Sequence, residues 1–262
     1  AWESLSLNLP DTQISDLIVT EKDLVVGTHG RSIYILDDIS PIREMTKIDL
    51  EKPHLYEAYS ATRRVQNAEL KYFLPSTPEH LSLKITDLQG RIVLEKEGTK
   101  EVDTEEVISS WFGVDNKNPS MTKGLNTYTW NLRYPGATEF EGMIIWSAKP
   151  SLGPIAPPGV YDVQLTVNDQ VHKTTLEVKK DPRIKIADEV IEKQFEFAME
   201  IMSQTDLANK SVIEIRALKE KLKALTDNNT SHNAKKISVL LSDLERIESS
   251  IYQVKTRVGK TL

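Results

Sequence analysis

Asp37-Asp38 is the nearest approach to a paired carboxylate in this sequence. Two carboxyls flanking one glycosidic bond would supply the acid and the base or nucleophile of a hydrolase. Neighbouring strand residues point to opposite faces, so these two cannot readily flank one bond. His29-Gly30-Arg31 reads as a turn that can hold an imidazole and a guanidinium towards an anionic or carbohydrate ligand. The same turn has a plainer use, in which Gly30 supplies a positive φ and Arg31 pairs with Asp37 or Asp38. Trp111, Phe112, Tyr134, Phe140 and Trp146 fall in two insertions, 97–123 and 134–158, beside acids such as Glu101, Asp103, Glu139 and Glu141. Such rings can stack on sugar faces, or they can pack the insertions onto neighbouring structure. His29, Arg31, Trp111, Phe140 and Trp146 are therefore the candidate ligand-binding residues, and no catalytic set emerges.

Metal and cofactor chemistry finds little support. Asp115, Asn116 and Asn118 offer oxygens for calcium, but their spacing matches no EF-hand loop. Histidines 29, 54, 80, 172 and 232 are scattered, without an HxxxH pair. Cysteine is absent, which excludes disulfides, zinc-thiolate sites and thiol nucleophiles. No Walker loop, GxGxxG or Ser-His-Asp order appears, and no cofactor is implied. Net charge is 33 − 39 = −6, which argues against a nucleic-acid or anionic-membrane surface. No apolar run approaches the roughly 18–20 residues of a membrane helix.

These residues need elements to hold them. Residues 1–48 read as a meander of four short strands, 4–9, 16–20, 24–28 and 32–36, joined by tight turns. Such a meander is marginal alone and looks like one blade of a β-propeller, which needs neighbours. Residues 49–182 read as an immunoglobulin- or fibronectin-like β-sandwich of some seven strands. Leu81-Ser82-Leu83-Lys84-Ile85 alternates cleanly, and Leu125, Tyr128, Trp130, Leu132, Val160, Val163 and Leu165 are further core candidates. Pro158-Gly159 introduces the last hairpin, which turns at Asn168-Asp169-Gln170.

From residue 183 the apolar period changes to 3.6. Ile191, Phe195, Ala198, Met202, Ala208, Val212, Ile215, Leu218, Leu222 and Leu225 form one stripe, on a helix of nearly 40 residues or roughly 58 Å. A polar loop, 227–233, precedes a second helix with a seam at Ile237, Leu240, Leu244, Ile247, Ile251, Val254 and Val258. The two should fold back antiparallel, with Asn209 placed to fix their register. The fold class is thus multidomain β plus α: a partial propeller blade, a sandwich and a C-terminal long-helix hairpin.

Asp23 to Asp38, with its Thr28-His29-Gly30-Arg31-Ser32 run and its Leu36-Asp37-Asp38 end, resembles the closing blade of the sortilin-like, BNR-repeat propeller proteins of bacteria. That resemblance implies a large exported protein of glycosyl-hydrolase-like type, secreted, periplasmic or at the cell surface, with its ligand face on blades upstream. The opening Ala1-Trp2-Glu3-Ser4 fits the middle of such a longer chain. Gly90, Trp130 and Pro158-Gly159-Val160-Tyr161 resemble the sandwich modules of flagellar hook-capping proteins, which are spacers or docking platforms. The expected partners are upstream blades, with a protein partner or second copy through the helices and a glycan as alternatives.

Overall fold

The structure is a computed structural model and describes residues 5, 7, 9–100, 118–144, 150–227 and 234–253. It is mixed β plus α, with several sheets followed by two C-terminal helices. Three strands, β1 (Ile14–Val19), β2 (Leu24–Thr28) and β3 (Ile33–Leu36), form an antiparallel meander in the order β1-β2-β3. The strand expected at 4–9 is not seen: Leu5, Leu7 and Leu9 lie outside any strand, and its other residues lie outside the described residues. The pairing places Leu17, Val26 and Tyr34 in one cross-strand row and Ile18, Val25 and Ile35 in another on the opposite face. Both faces are therefore apolar, yet Leu17, Ile18, Val19, Ile33 and Ile35 are exposed, Ile33 at 67%.

A short helix, α1 (Ser40–Glu44), follows, with Pro41 in its first turn, where a missing N–H is harmless. The link between meander and body is polar. Lys71 pairs with Asp38 at 2.8 Å, Arg43 donates to the carbonyls of Thr20 and Glu21, and Lys22 sits over the Tyr59 ring.

The body has two sheets. One runs β5 (Ala61–Thr62), β13 (Gln170–Lys179), β12 (Gly159–Val167), β7 (Leu81–Asp87) and β8 (Ile92–Glu97). The other runs β4 (His54–Leu55), β6 (Ala68–Leu74) and β9 (Gly124–Trp130). Their inner residues share one core, including Leu70, Tyr72, Leu83, Ile85, Trp130, Tyr161, Val163 and Leu165. Strict alternation produces this, since β7 turns every second side chain inward. The same alternation corrects two core candidates. Leu125 is exposed because Asn126, Tyr128 and Trp130 take the inward positions, and Val160 is exposed because Tyr161, Val163 and Leu165 do. Buried Asn126 is accommodated by hydrogen bonds with Thr122 and the Gly124 carbonyl. Trp130 packs edge-on to Tyr161 at 5.5 Å, and its Nε1 donates to the Arg133 carbonyl.

A two-stranded ladder, β10 (Arg133–Pro135) with β11 (Leu152–Ile155), stands beside this body. It was not anticipated from the sequence. The crossing at Gly153 is so close that a Cβ there would lie 2.0 Å from the Tyr134 carbonyl oxygen.

Helix α2 (Asp188–Asp227) has 40 residues and starts with Asp188 and Glu189, which suit the positive end of its dipole. Its Ile191, Phe195 and Val212 are buried, and Phe195 belongs to the core of the two-sheet body. Helix α3 (Ala234–Ile251) returns antiparallel, since Arg216 meets Glu248 and Lys219 meets both Glu245 and Glu248. The loop between them, and Val254 and Val258, lie outside the described residues. The inward face of α3, continued by Tyr252, is Ile237, Leu241, Leu244 and Glu248, so the expected seam holds at Ile237 and Leu244 and moves by one residue at Leu240, Ile247 and Ile251. Leu240, Ile247 and Ile251 are left exposed, as are Leu218 and Leu225 of α2. The reason is Glu248: its two cationic partners lie on α2, which turns it inward in place of Ile247.

Candidate functional site

The turn between β2 and β3 leaves His29 and Arg31 both exposed on the surface. Gly30 and Ser32 both have left-handed backbone, φ 76° and 78°. The Thr28 amide donates to the Ser32 carbonyl, and the His29 amide donates to the Gln13 carbonyl. The turn is therefore held by backbone bonds, with both side chains free to project. Arg31 makes no ion pair among the described residues, so the expected pairing with Asp37 or Asp38 is absent.

Asp38 instead turns inward with φ 53°. Burial pushes its carboxyl up, but the bond from Lys71 and those from the Ser40 hydroxyl and amide outweigh this and hold it below the ordinary value. Asp37 is exposed. The two adjacent carboxyls thus differ in burial and partners, and they do not form an acid–base pair.

Phe140 sits in the excursion between β10 and β11, and that excursion is fastened along the helices. Asp206 accepts from the Thr138 amide and hydroxyl at 2.8 and 2.7 Å. Asn209, expected to set helix register, is buried and donates to the Thr138 carbonyl instead. Arg216 donates to the Glu141 carbonyl, and the Ile144 amide donates to the Tyr252 hydroxyl. The Phe140 ring meets Tyr252 edge-on at 5.0 Å, with the Arg216 guanidinium 4.8 Å from its centroid. A ring so engaged is a clamp, which is the packing alternative for this insertion. Trp111 and Trp146 lie outside the described residues.

Glu248, buried between helices, closes the same cluster. Burial would raise its carboxyl, but Arg216 at 2.8 Å and Lys219 at 3.2 Å hold it below the ordinary value. It is a satisfied ion, matched by two cations, and carries no chemistry of its own.

A second polar cluster joins the body to α2. Asp87, at the end of β7, accepts from Arg91 Nε at 2.6 Å, from the Tyr134 hydroxyl at 2.8 Å and from the Gln89 and Arg91 amides. Gly90, with φ 78°, makes the turn that allows this. Arg91 also donates to Glu196 of α2 and lies over Phe195. Burial would raise the Asp87 carboxyl, yet the Arg91 and Tyr134 bonds win and hold it below the ordinary value.

The nominated residues are not brought together. Among the described residues, no hydrogen bond, ion pair or ring contact joins the His29–Arg31 turn to Phe140. Sequence reasoning missed Asp87, Arg91, Glu196 and Glu248, because isolated charges in an amphipathic pattern look like solvated surface. Among the described residues, no group of three or more His, Asp or Glu could hold a metal, and no helix is long and apolar enough to cross a membrane.

No family model matches the chain, and no curated protein matches it. Solved structures that align with it include CopC from Methylosinus trichosporium OB3b, at 14% identity over 51% of this chain and 99% of that one, with a TM-score of 0.26. The M1 domain of titin aligns at 6% identity over 51% of this chain and 99% of its own, with a TM-score of 0.23. The twitchin kinase region from C. elegans aligns at 12% identity over 57% of this chain and 19% of its own, with a TM-score of 0.22. Likeness this slight carries no argument about fold or function.

Proposed function

We propose that this chain is a non-catalytic accessory region of an exported β-propeller protein. In this reading the β1–β3 meander is the closing blade, the two-sheet body is an immunoglobulin- or fibronectin-like sandwich, and the helices brace or space the assembly. The observation that carries it is the meander's pair of apolar faces. Soluble monomers rarely expose contiguous apolar patches of more than a few hundred Å², and Leu17, Ile18, Val19, Ile33 and Ile35 are all exposed here. Neighbouring blades are the covering that such a two-faced sheet fits. The resemblance of residues 23–38 to sortilin-like closing blades supports the same reading, and with it a secreted, periplasmic or cell-surface location.

Amide hydrogen exchange tests this. Strands β1 to β3 should exchange at least tenfold more slowly in the parent protein with its upstream blades than in the 262-residue chain. Equal exchange would reject the blade.

A second reading, self-association through the helices, has its own observation. Leu240, Ile247 and Ile251 step by seven and four along one exposed face of α3. Sedimentation equilibrium at high concentration should then find dimers that Leu240→Glu with Ile247→Glu removes. A monomeric wild type would end this reading. The glycan-binding alternative loses Phe140 as a free stacking platform and keeps only the His29–Arg31 turn among the described residues.

A further inference from the structure

The helix hairpin has one covered flank and one bare flank. The β10–β11 excursion takes the covered one on both helices, since Phe140 lies against Arg216 of α2 and against Tyr252 at the end of α3. At about 100° per residue, Leu240, Ile247 and Ile251 lie roughly 40–80° from the Ile237–Leu244–Glu248 line, on the side away from Tyr252. Leu218, Leu222 and Leu225 of α2 lie on the side away from Arg216, so both rows border the bare flank. The ion pairs Arg216–Glu248 and Lys219–Glu245 set the level of α3 along α2. Leu240 therefore stands beside Leu222 and Leu225, and Ile247 stands beside Leu218. Two apolar rows from two helices wall a groove roughly 16 Å long.

The first half of α2 carries the complement. Val190, Phe197 and Ile201 are exposed, and α3 does not reach them, being about 27 Å long against about 60 Å for α2. These three share one heptad grid with Leu218, Leu222 and Leu225, at steps of three, four and seven. The row from Val190 to Ile201 is again roughly 16 Å long, which matches the groove. Charge also divides along the helix. Residues 188–206 hold six acids and one base, whereas 207–225 hold five bases and two acids. Helix α3 adds three bases and three acids, so the groove end keeps its basic excess.

We propose that a second copy of this chain fills the groove, with the two α2 helices antiparallel. The proposal rests on self-association through the helices and names the surface that each copy inserts. A two-fold axis near the middle of α2 lays each acidic half on a basic half, and each groove takes the bare row of the other copy. With a positions set against d positions, Phe197 of one copy enters between Leu222 and Leu240 of the other, and Ile201 enters between Leu218 and Ile247. Ala208 and Ser211, both small, meet near the axis. Charge selects this register. It sets Glu200 opposite Lys221, both exposed and neither ion-paired among the described residues. An alignment seven residues away would set Glu200 opposite Glu214 and Lys193 opposite Lys221, like charge on like. Because the seam lies between copies, it adds nothing to the stability of the dilute single chain.

The chain has no cysteine, so an introduced thiol reports its own position. Glu200→Cys and Lys221→Cys change exposed residues outside the apolar rows. When the two full-length variants are mixed and treated with a short bis-maleimide, they should couple to each other. Neither should couple to itself, because equivalent positions in the two copies would lie roughly 28 Å or more apart along the seam. Sedimentation equilibrium of the intact chain should find dimers. Phe197→Glu should weaken them at least tenfold, since it drives a charge into an apolar groove, and should leave the circular dichroism of the chain unchanged. A monomeric wild type would overturn this pairing and self-association together. Dimers that Phe197→Glu leaves intact, or that couple in any other pattern, would keep self-association and overturn the antiparallel pairing.

Discussion

Phe195→Ala is the sharpest test of how α2 is held. Phe195 is 2% exposed, and its ring lies 4.7 Å from Tyr134 and 5.2 Å from the Arg91 guanidinium. Truncating a buried phenylalanine costs about 3–5 kcal/mol. The tilted Tyr134 contact and the overlying cation are lost with it, which places the expected loss near the middle of that range, about 4 kcal/mol. That is a large part of the roughly 5–15 kcal/mol that holds a typical domain. With a urea slope of about 2–3 kcal/mol/M, the midpoint should fall by about 1.3–2 M. Urea unfolding followed by tryptophan fluorescence and by far-ultraviolet circular dichroism measures this. Trp130 is buried in the two-sheet core, so fluorescence includes the body while dichroism is weighted to the helices. Phe197→Ala is the control: that ring is two residues along, 63% exposed, and its loss should change stability by no more than about 0.5 kcal/mol. A loss below about 1 kcal/mol for Phe195→Ala, or equal losses for both variants, would refute the account of Phe195 as a core anchor of α2.

Two further outcomes follow from the packing. Gly153→Ala should lose about 1–3 kcal/mol or more, because the new Cβ would meet the Tyr134 carbonyl at 2.0 Å; a midpoint within error of wild type would show that the ladder can shift. Asp206 is depressed to about 2, by the Lys210 hydrogen bond first and the Thr138 bonds after it. A carboxyl lowered in the folded state stabilises above its unfolded value and loses that contribution as pH falls through the folded one. The wild-type advantage over Asp206→Asn should therefore be complete above pH of about 4 and gone near pH of about 2; an advantage independent of pH across that window would contradict the assignment.

Much of the architecture was legible because it rests on periodicity. The alternation in β7 and the 3.6-residue stripe on α2 are local signals; the first gives the buried side throughout, and the second gives it at Ile191, Phe195 and Val212 but not at Leu218 and Leu225. Leu125 and Val160 were misplaced because the inward register of β9 and β12 is fixed by neighbouring strands, with Asn126 taking a core position. The ladder β10–β11 was missed because its two partners are short and separated by a long excursion. The seam on α3 was read correctly at Ile237 and Leu244 and misplaced by one position towards its end, where a charge, Glu248, takes the inward place of an isoleucine. The role of Phe140 depends on Arg216 and Tyr252, far along the chain, and no local pattern announces contacts of that range.

The Lys71–Asp38 bridge and the Arg91–Phe195 contact have a mechanical consequence. A pull applied between the meander and the helix hairpin would pass through the body by way of the Lys71–Asp38 bridge at one end and, at the other, the Arg91–Phe195 contact together with the Asp206, Asn209 and Arg216 bonds to the β10–β11 excursion. Each junction is a few side chains deep, whereas β12 and β13 are zipped over nine residue pairs from Gly159 to Val167. Side-chain junctions open at lower cost than a nine-pair ladder, so tension should reach them before it reaches β12 and β13. The two ends then differ as couplings: the meander end is a polar bridge, while the helix end carries a ring seated in the core.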